Sequence, residues 1–203
     1  QYNYGLFLQE GMLGNKDEEE AIKWFQKSSD SGFNDGHYAL MMAYANGNGV
    51  TQNAEKAFSY ALKCAHNKDA TCMWNVANCY LTGNGTPADT TKFKEWIVQL
   101  AMLPNPENIA LSVNITSARL EIAHFYKNGL YFDQDNYLSY LWYLIYNEGK
   151  RDLSIFQQEE VIEQIKAVEK SLTAAQLESA PKDAEALLGR RLLRINERYN
   201  KSL

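Results

Sequence analysis

The sequence predicts an all-α solenoid, in which antiparallel helix pairs stack along the chain and C-terminal helices cap the last pair. A pattern of aromatic, small and glycine residues recurs every 36 residues, and such a period is typical of solenoids. Only 4 prolines occur in 203 residues, which favours long helices. Within each repeat, apolar residues recur three or four positions apart, as on one face of a helix.

Composition and charge argue against several classes of protein. The chain is 45% hydrophobic and 22% charged, which excludes a disordered protein. No apolar run approaches the roughly 18 residues of a membrane span. The net charge is −5, and residues 1–150 carry 16 acidic side chains against 11 basic ones. A general binder of nucleic acid is therefore not expected.

The two central repeats show the period most clearly. Tyr38–Val50 and Trp74–Thr86 align with an offset of 36 residues, and both contain a tyrosine followed by a Gly-Asn-Gly turn. A first unit precedes them in the same register, and a fourth follows an insertion around Pro104 and Pro106. Residues 1–150 are thus predicted to form four repeats, at about 1–35, 36–71, 72–107 and 108–150.

Each repeat is predicted to be two helices joined by a tight turn. In the second repeat, Leu40 and Tyr44 lie four positions apart and so share one face of the first helix. Gly47 and Gly49 supply the positive φ that ends this helix. The second helix begins near Asn53, a favourable N-cap. Because one hairpin cannot bury both apolar faces, successive hairpins are expected to stack.

Residues 151–203 do not follow the period and are predicted to form capping helices on the last repeat, within a single domain. Ser154 and Thr173 each begin an S/T-x-x-Q capping box. Pro181 suits the first turn of another helix that runs to about Tyr199. That helix would carry a basic stretch, which is expected to be a solvated face, the alternative being a contact with a membrane surface or with nucleic acid. Its basic residues are Arg190, Arg191, Arg194, Arg198 and Lys201.

The repeat pattern resembles the Sel1-like repeat family, whose members are relatives of tetratricopeptide repeats. Gly36 to Ala65 carries the closest match, and Cys72 to Ala101 the next. Each has small residues before a tyrosine, then a Gly-x-Gly turn and a lysine followed by an aromatic residue. The first repeat departs from the pattern at Leu13 and the fourth at Tyr131, where the second turn glycine is expected. The resemblance implies a right-handed α/α superhelix that acts as a scaffold for protein–protein contacts.

The resemblance also implies a disulfide and a compartment. Cysteine-rich exported members of the family join the end of one repeat to the start of the next, and Cys64 and Cys72 have the corresponding spacing. Bacterial members are often accessories of envelope, secretion or motility machinery. A periplasmic or exported adaptor is therefore expected, with Cys79 as a lone core thiol. Free buried thiols in a cytoplasmic protein are the alternative.

Inner positions of the first helices form the candidate partner-binding site. Residues two positions from the packed face are rotated by about 200° and are expected to line the concave side of the solenoid. Aromatic and apolar side chains rimmed by amides suit a protein-binding groove. The alternative is that they belong to the core or that the C-terminal helices fill the groove. The candidates are Tyr38, Met42, Asn46, Trp74, Asn78, Thr82, Leu120, His124 and Asn128.

The leading interpretation is a non-catalytic scaffold that binds a protein through its concave face. No catalytic residue, metal or cofactor is expected, because His37, His66 and His124 lack nucleophile or metal partners at suitable spacing. One alternative is an immunity-type inhibitor of a secreted antibacterial toxin or lipase. A hydrolase is the other alternative, and no residue spacing supports it.

Overall fold

The computed structural model describes residues 1–12, 14–106, 112–152, 155–195 and 199–200. These residues form α-helices, one 3₁₀ helix (Asn147–Asp152) and no strand, so the predicted all-α solenoid is confirmed. The α-helices are α1 (Tyr2–Glu10), α2 (Glu18–Asp30), α3 (Asn34–Asn46), α4 (Ala54–His66), α5 (Ala70–Thr82), α6 (Thr90–Met102), α7 (Val113–Asn128), α8 (Asn136–Tyr146), α9 (Ile155–Glu169) and α10 (Ala174–Leu188).

The chain divides into two compact units, residues 1–96 and 97–203, and the division falls within α6. In unit 1, each of the helices α1 to α4 packs against the next helix along the chain. In unit 2, α7 packs against α8, and α8 also contacts α9 and α10. Helix α8 is buried on every side from Ser139 to Tyr146, as expected for a helix surrounded by others.

Caps fix the ends of the helices at the same place in every repeat. The first helix of each repeat ends at a glycine in the left-handed conformation, and the second begins after an Asx residue whose side chain accepts a backbone N–H. The glycines are Gly11, Gly47, Gly83 and Gly129. The Asx caps are Asp17, Asn53, Asp89 and Asp135. The prediction that a helix begins after Asn53 is confirmed.

The second glycine of the turn brings consecutive repeats of unit 1 into backbone contact. A Cβ at Gly49 would lie 2.5 Å from the carbonyl oxygen of Glu18, in the first turn of α2. A Cβ at Gly85 would overlap the carbonyl oxygen of Ala54, in the first turn of α4. Both turns also need a positive φ, 68° and 73°, which glycine adopts at little cost. The same contact therefore recurs between successive repeats.

Lysine side chains cover aromatic rings at recurring positions of unit 1. A cation over a ring face is stabilised by the ring quadrupole, and the lysine stem covers apolar surface. Two of these pairs join the first and second helices of a repeat, and two lie within a second helix. The first two are Lys56 over Tyr44 at 5.0 Å and Lys92 over Tyr80 at 5.1 Å. The others are Lys27 over Trp24 at 3.9 Å and Lys63 over Tyr60 at 4.9 Å.

A disulfide joins Cys64, in the last turn of α4, to Cys72, in the first turn of α5. This is the pairing that the family resemblance implies. The two Cα atoms are 5.7 Å apart, and both side chains are fully buried. The bond therefore ties the second helix of one repeat to the first helix of the next. Cys79 is a free cysteine.

In unit 2, a buried arginine holds the end of α6. Arg119 on α7 is fully buried and donates to the carbonyl oxygens of Ala101 (2.9 Å) and Leu103 (2.7 Å) and to Oδ1 of Asn105 (2.5 Å). The last carbonyls of a helix have no intrahelical partner, and a cation is favoured there by the helix dipole. Arg119 thus donates hydrogen bonds to groups in the last turn of α6 and just after it.

The C-terminal helices agree with only part of the prediction. The capping box of Thr173 and Gln176 is present, and α10 begins after it. The prediction that Pro181 opens another helix is wrong, because Pro181 lies inside α10, which is already under way. Gly189 ends α10 in the left-handed conformation. The basic stretch is therefore not a helix over its described part, Arg190–Arg194.

Other residues singled out in the sequence lie outside the described residues: Leu13, Ser154, Arg198 and Lys201. Tyr131 is described, and it adopts a φ of 64° where the central repeats have glycine. Its ring packs edge-on against Phe125 with a centroid distance of 5.0 Å, and this packing offsets part of the cost of a left-handed backbone.

We expect loss of the disulfide to destabilise the protein measurably. The double change Cys64→Ser and Cys72→Ser should lower the free energy of unfolding by about 2–3 kcal/mol, because the closed loop is short. The melting temperature should fall by about 5–10 °C. Cys79→Ser is the matched control and should change the melting temperature little. Equal melting temperatures of the double variant and the wild type, both kept oxidised, would contradict this prediction.

We expect Gly85→Ala to cost about 3 kcal/mol or more in chemical denaturation, from a left-handed alanine and from overlap with the α4 backbone. Gly32→Ala is a matched control, because Gly32 also has a positive φ (80°) but nothing lies within 4 Å of an added Cβ. The control should cost only about 1–2 kcal/mol. Equal costs for the two variants would show that the contact between repeats is unimportant.

Candidate protein-interaction surface

Six of the nine predicted partner-binding residues lie on α3 and α5 of unit 1. We call this set the α3–α5 surface: Tyr38, Met42 and Asn46 on α3, and Trp74, Asn78 and Thr82 on α5. Asn46 and Thr82 are exposed, Met42 is 39% exposed, and the other three are half-buried. The buried side of α3 carries Leu40 and Met41 instead. The six surface residues thus lie outside the buried side of each helix, as we expect for positions that are rotated away from the packed face.

The α3–α5 surface is aromatic, apolar and amide-bearing, with little charge. Neither helix contains a lysine or an arginine, and Asp35 is the single carboxylate of the two. Asn46 and Asn78 each offer one amide that can both donate and accept. Side chains of this kind can pair with the backbone of another polypeptide while aromatic rings cover its apolar side chains.

Packing behind the surface holds α3 and α5 in place. Gly36 lies so close to α2 that a Cβ there would overlap the backbone of Ser29. Leu40 and Val76 are fully buried. On α5, Asn75 donates from Nδ2 to Sδ of Met41 on α3, at 3.7 Å. A partner would therefore meet helices that are already ordered, which lowers the entropic cost of binding.

The other three predicted residues lie on α7 of unit 2, and there the C-terminal helices intervene. Leu120 is half-buried and Asn128 is exposed. His124 donates from Nε2 to Oε1 of Gln164 on α9, at 2.5 Å, and Tyr143 donates to the same oxygen at 2.9 Å. At His124, unit 2 therefore matches the alternative in which the C-terminal helices fill the groove.

The environment of His124 favours a neutral, structural imidazole. Burial lowers its pKa below 6.5, and the hydrogen bond to Gln164 offsets only part of that effect. Its ring also packs edge-on against Tyr143, with a centroid distance of 5.9 Å. Because Nε2 of His124 is already hydrogen-bonded to Gln164, we do not include His124 among the residues that we propose to bind a partner.

The remaining histidines also have local partners. His37 is buried and its Nδ1 lies 2.7 Å from Oγ of Ser29. His66 donates from Nδ1 to the carbonyl oxygen of Leu62 at 2.7 Å, and its ring packs edge-on against Trp96. These contacts join the ring of His37 to α2, and the ring of His66 to its own helix and to α6, which is a structural use of histidine.

Among the described residues, Cys64, Asp69 and Cys72 bring potential metal-ligand atoms within 4.8 Å of one another. The two sulfurs are bonded to each other and so cannot act as thiolate ligands. Asp69 accepts the backbone N–H of Cys72 and serves as the N-cap of α5. In the same described part, no helix combines the length and hydropathy needed to cross a bilayer.

Sequence reasoning missed a pocket of about 370 Å³ in unit 1. It forms where the start of α1, the end of α2 and the start of α3 meet. One signal was present: Phe33 stands at the N-cap of α3, whereas the equivalent residue 36 positions later is Asp69, which caps α5. The lining residues are Gln1, Tyr2, Asn3, Ser28, Ser31, Phe33 and Asp35.

Helix pairs that repeat at a fixed spacing and pack against one another along the chain define an α-solenoid. The Sel1 repeat family model matches residues 1–33, 36–69, 70–97 and 116–145. The chain therefore belongs to the Sel1 repeat family. Proteins with these repeats are generally protein-interaction scaffolds and are typically non-catalytic.

The chain is also similar to solved structures, and the first of the following two has the same fold. A Sel1 repeat protein from Oxalobacter formigenes has a TM-score of 0.68 at 19% identity, over 91% of this chain and 71% of that one. The protective antigen c5321 of uropathogenic Escherichia coli, which has an SLR fold, gives a TM-score of 0.45 at 21% identity. That alignment covers all of this chain and 48% of the antigen, so the chain spans about half of its length. No curated protein sequence matches the chain.

We expect the stability of the protein to fall as the pH drops below 6.5. His124 has a lowered pKa in the fold, so below 6.5 the unfolded chain binds more protons and is favoured. His124→Gln should reduce the loss of unfolding free energy between pH 7.5 and 5.5, and His37, whose pKa burial also lowers, should account for part of the rest. His66→Gln is the control. An unchanged pH dependence in His124→Gln would contradict the assignment.

Proposed function

We propose that this protein is a non-catalytic adaptor that binds another protein through the α3–α5 surface. The observation that carries the proposal is the partial exposure of large apolar side chains on the first helices of two consecutive repeats. Met42 is 39% exposed and Trp74 is half-buried, although both helices have a fully packed opposite side. Aromatic side chains that are partly exposed on an ordered surface commonly carry much of the energy of a protein interface.

The near absence of charge on the surface indicates how the partner binds. Two proteins attract each other at long range when their surfaces carry opposite charges. Charged residues at the rim of an interface make the association rate depend strongly on salt concentration. On α3 and α5, Asp35 is the one charged side chain. We therefore propose an interface of apolar contacts and amide hydrogen bonds, whose affinity changes little with ionic strength.

We also propose that the protein functions outside the reducing cytoplasm, in a periplasm or beyond. The Cys64–Cys72 disulfide supports this, because structural disulfides persist mainly in oxidising compartments. Protein taken from its native compartment and denatured in the presence of an alkylating agent should show one reactive thiol, that of Cys79. Three reactive thiols would contradict the proposal.

The inhibitor hypothesis shares this surface and differs in the partner. A toxin or a lipase that is captured by the α3–α5 surface and loses its activity on binding would favour an immunity-type inhibitor. An envelope, secretion or motility component that keeps its activity in the complex would favour the adaptor.

We expect the double change Met42→Ala and Trp74→Ala to reduce partner binding more than tenfold, because truncating two interface anchors costs about 2 kcal/mol or more. The melting temperature should fall by no more than about 4 °C, since both side chains are partly exposed. The measurement is quantitative affinity capture from the native organism followed by mass spectrometry.

Leu130→Ala is the matched control for this experiment, because Leu130 is 49% exposed and lies outside the surface. Proteins lost with the double variant and retained with the control are the specific partners. A captured set that is identical for all three proteins would contradict the proposed function. A large fall in melting temperature would place Met42 and Trp74 in the core instead.

A further inference from the structure

The pocket between α1, α2 and α3 has walls of two chemical kinds. Tyr2 and Phe33 supply aromatic surface, and Phe33 is 63% exposed. The remaining lining side chains are amides, hydroxyls and one carboxylate, that of Asp35. None of the lining side chains is a lysine or an arginine. An aromatic wall beside a carboxylate favours an organic cation, since both the ring face and the carboxylate attract positive charge.

The side chain of Phe33 is exposed and does not cap the helix that follows it. Phe33 precedes α3 at the N-cap position and makes no side-chain cap hydrogen bond. The equivalent residue of the next repeat, Asp69, caps α5 by accepting the N–H of Cys72. A phenylalanine at this position loses a favourable N-cap and exposes an aromatic ring to solvent, and neither effect stabilises the fold. Binding of a ligand therefore explains this residue better than folding does.

Asp35 keeps its carboxylate available for a ligand. In the described part of the chain it forms no ion pair and no side-chain hydrogen bond. Asp35 and Tyr2 both line the pocket, and the negative charge of Asp35 adds to the effect of burial in raising the pKa of Tyr2. Asp35 precedes Tyr38 by three residues on α3, and residues at this spacing are neighbours on a helix, so the pocket adjoins the α3–α5 surface.

We infer that this pocket binds the guanidinium group of an arginine side chain presented by the protein partner. The inference rests on the proposed function and adds a specificity site to it. A planar guanidinium can stack on the ring of Phe33 and donate two hydrogen bonds to the carboxylate of Asp35, which a lysine ammonium cannot do in the same way. The volume of about 370 Å³ falls within the range of ordinary ligand pockets.

The first test uses small probes with the intact 203-residue chain. N-acetyl-arginine methylamide is titrated in an NMR experiment, and the matched neutral probe is N-acetyl-citrulline methylamide, which has the same shape without the charge. The arginine probe should shift the amide signals of Tyr2, Phe33 and Asp35 and bind about tenfold more tightly than the citrulline probe. N-acetyl-lysine methylamide should bind more weakly than the arginine probe.

Variants then assign the binding to the two walls. Phe33→Asn and Asp35→Asn should each weaken binding of the arginine probe about tenfold. Phe33→Asn also installs a favourable N-cap, so its melting temperature should stay equal or rise, which separates lost binding from lost folding. The controls are Phe7→Ala, an aromatic with 42% exposure outside the pocket, and Asp30→Asn, another exposed carboxylate of unit 1.

Four results would overturn the inference: citrulline binding as tightly as arginine, lysine binding more tightly than arginine, unchanged binding in either pocket variant, or equal losses in the controls. The test also separates this inference from the proposed function. The Met42→Ala and Trp74→Ala variant should bind the arginine probe normally, whatever its effect on partner capture.

Discussion

Close contact between a turn glycine and the carbonyl of the preceding repeat sets the spacing of the hairpins in unit 1. Gly49 lies against Glu18, and Gly85 lies against Ala54. A Cβ at either position would push the turn off the neighbouring helix, because packed backbones cannot yield as a flexible side chain can. The complete burial of Leu40 and Val76 depends on that spacing. The turn pattern of the repeat thus has a packing reason as well as a conformational one.

Stability and recognition use different sides of the same helices. The side of α3 and α5 that faces neighbouring helices carries their buried residues, most of them apolar, and the disulfide Cys64–Cys72 adds a covalent tie between repeats. The fold therefore does not need the exposed part of Met42 or the ring of Phe33. Apolar surface that is held in place but left in solvent has a cost, which binding of a partner would recover.

Most of the fold could be predicted from the sequence because its signals are local. The turn glycines and the Asx caps act within a few residues of each helix end. The 36-residue period shows that the same signals recur along the chain. Pro181 was misread because the capping box at Thr173 starts the helix earlier. Contacts that join distant elements left no local signal: Gln164 on α9 meets His124, and Arg119 binds the end of α6. The pocket at Phe33 needs three elements together, and its one trace in the repeat pattern is a Phe at the position that Asp69 occupies 36 residues later.

The contact between repeats can be observed directly by NMR on the labelled protein. The Hα protons of Gly49 should show strong nuclear Overhauser effects to the Hβ protons of Glu18, and those of Gly85 to the Hβ protons of Phe58, because a Cβ at either glycine would lie 3.0 Å from the corresponding Cβ. Both sets of signals should be present in the free protein. Absence of both, in well-resolved spectra with the helices intact, would contradict the stacked arrangement on which the α3–α5 surface depends.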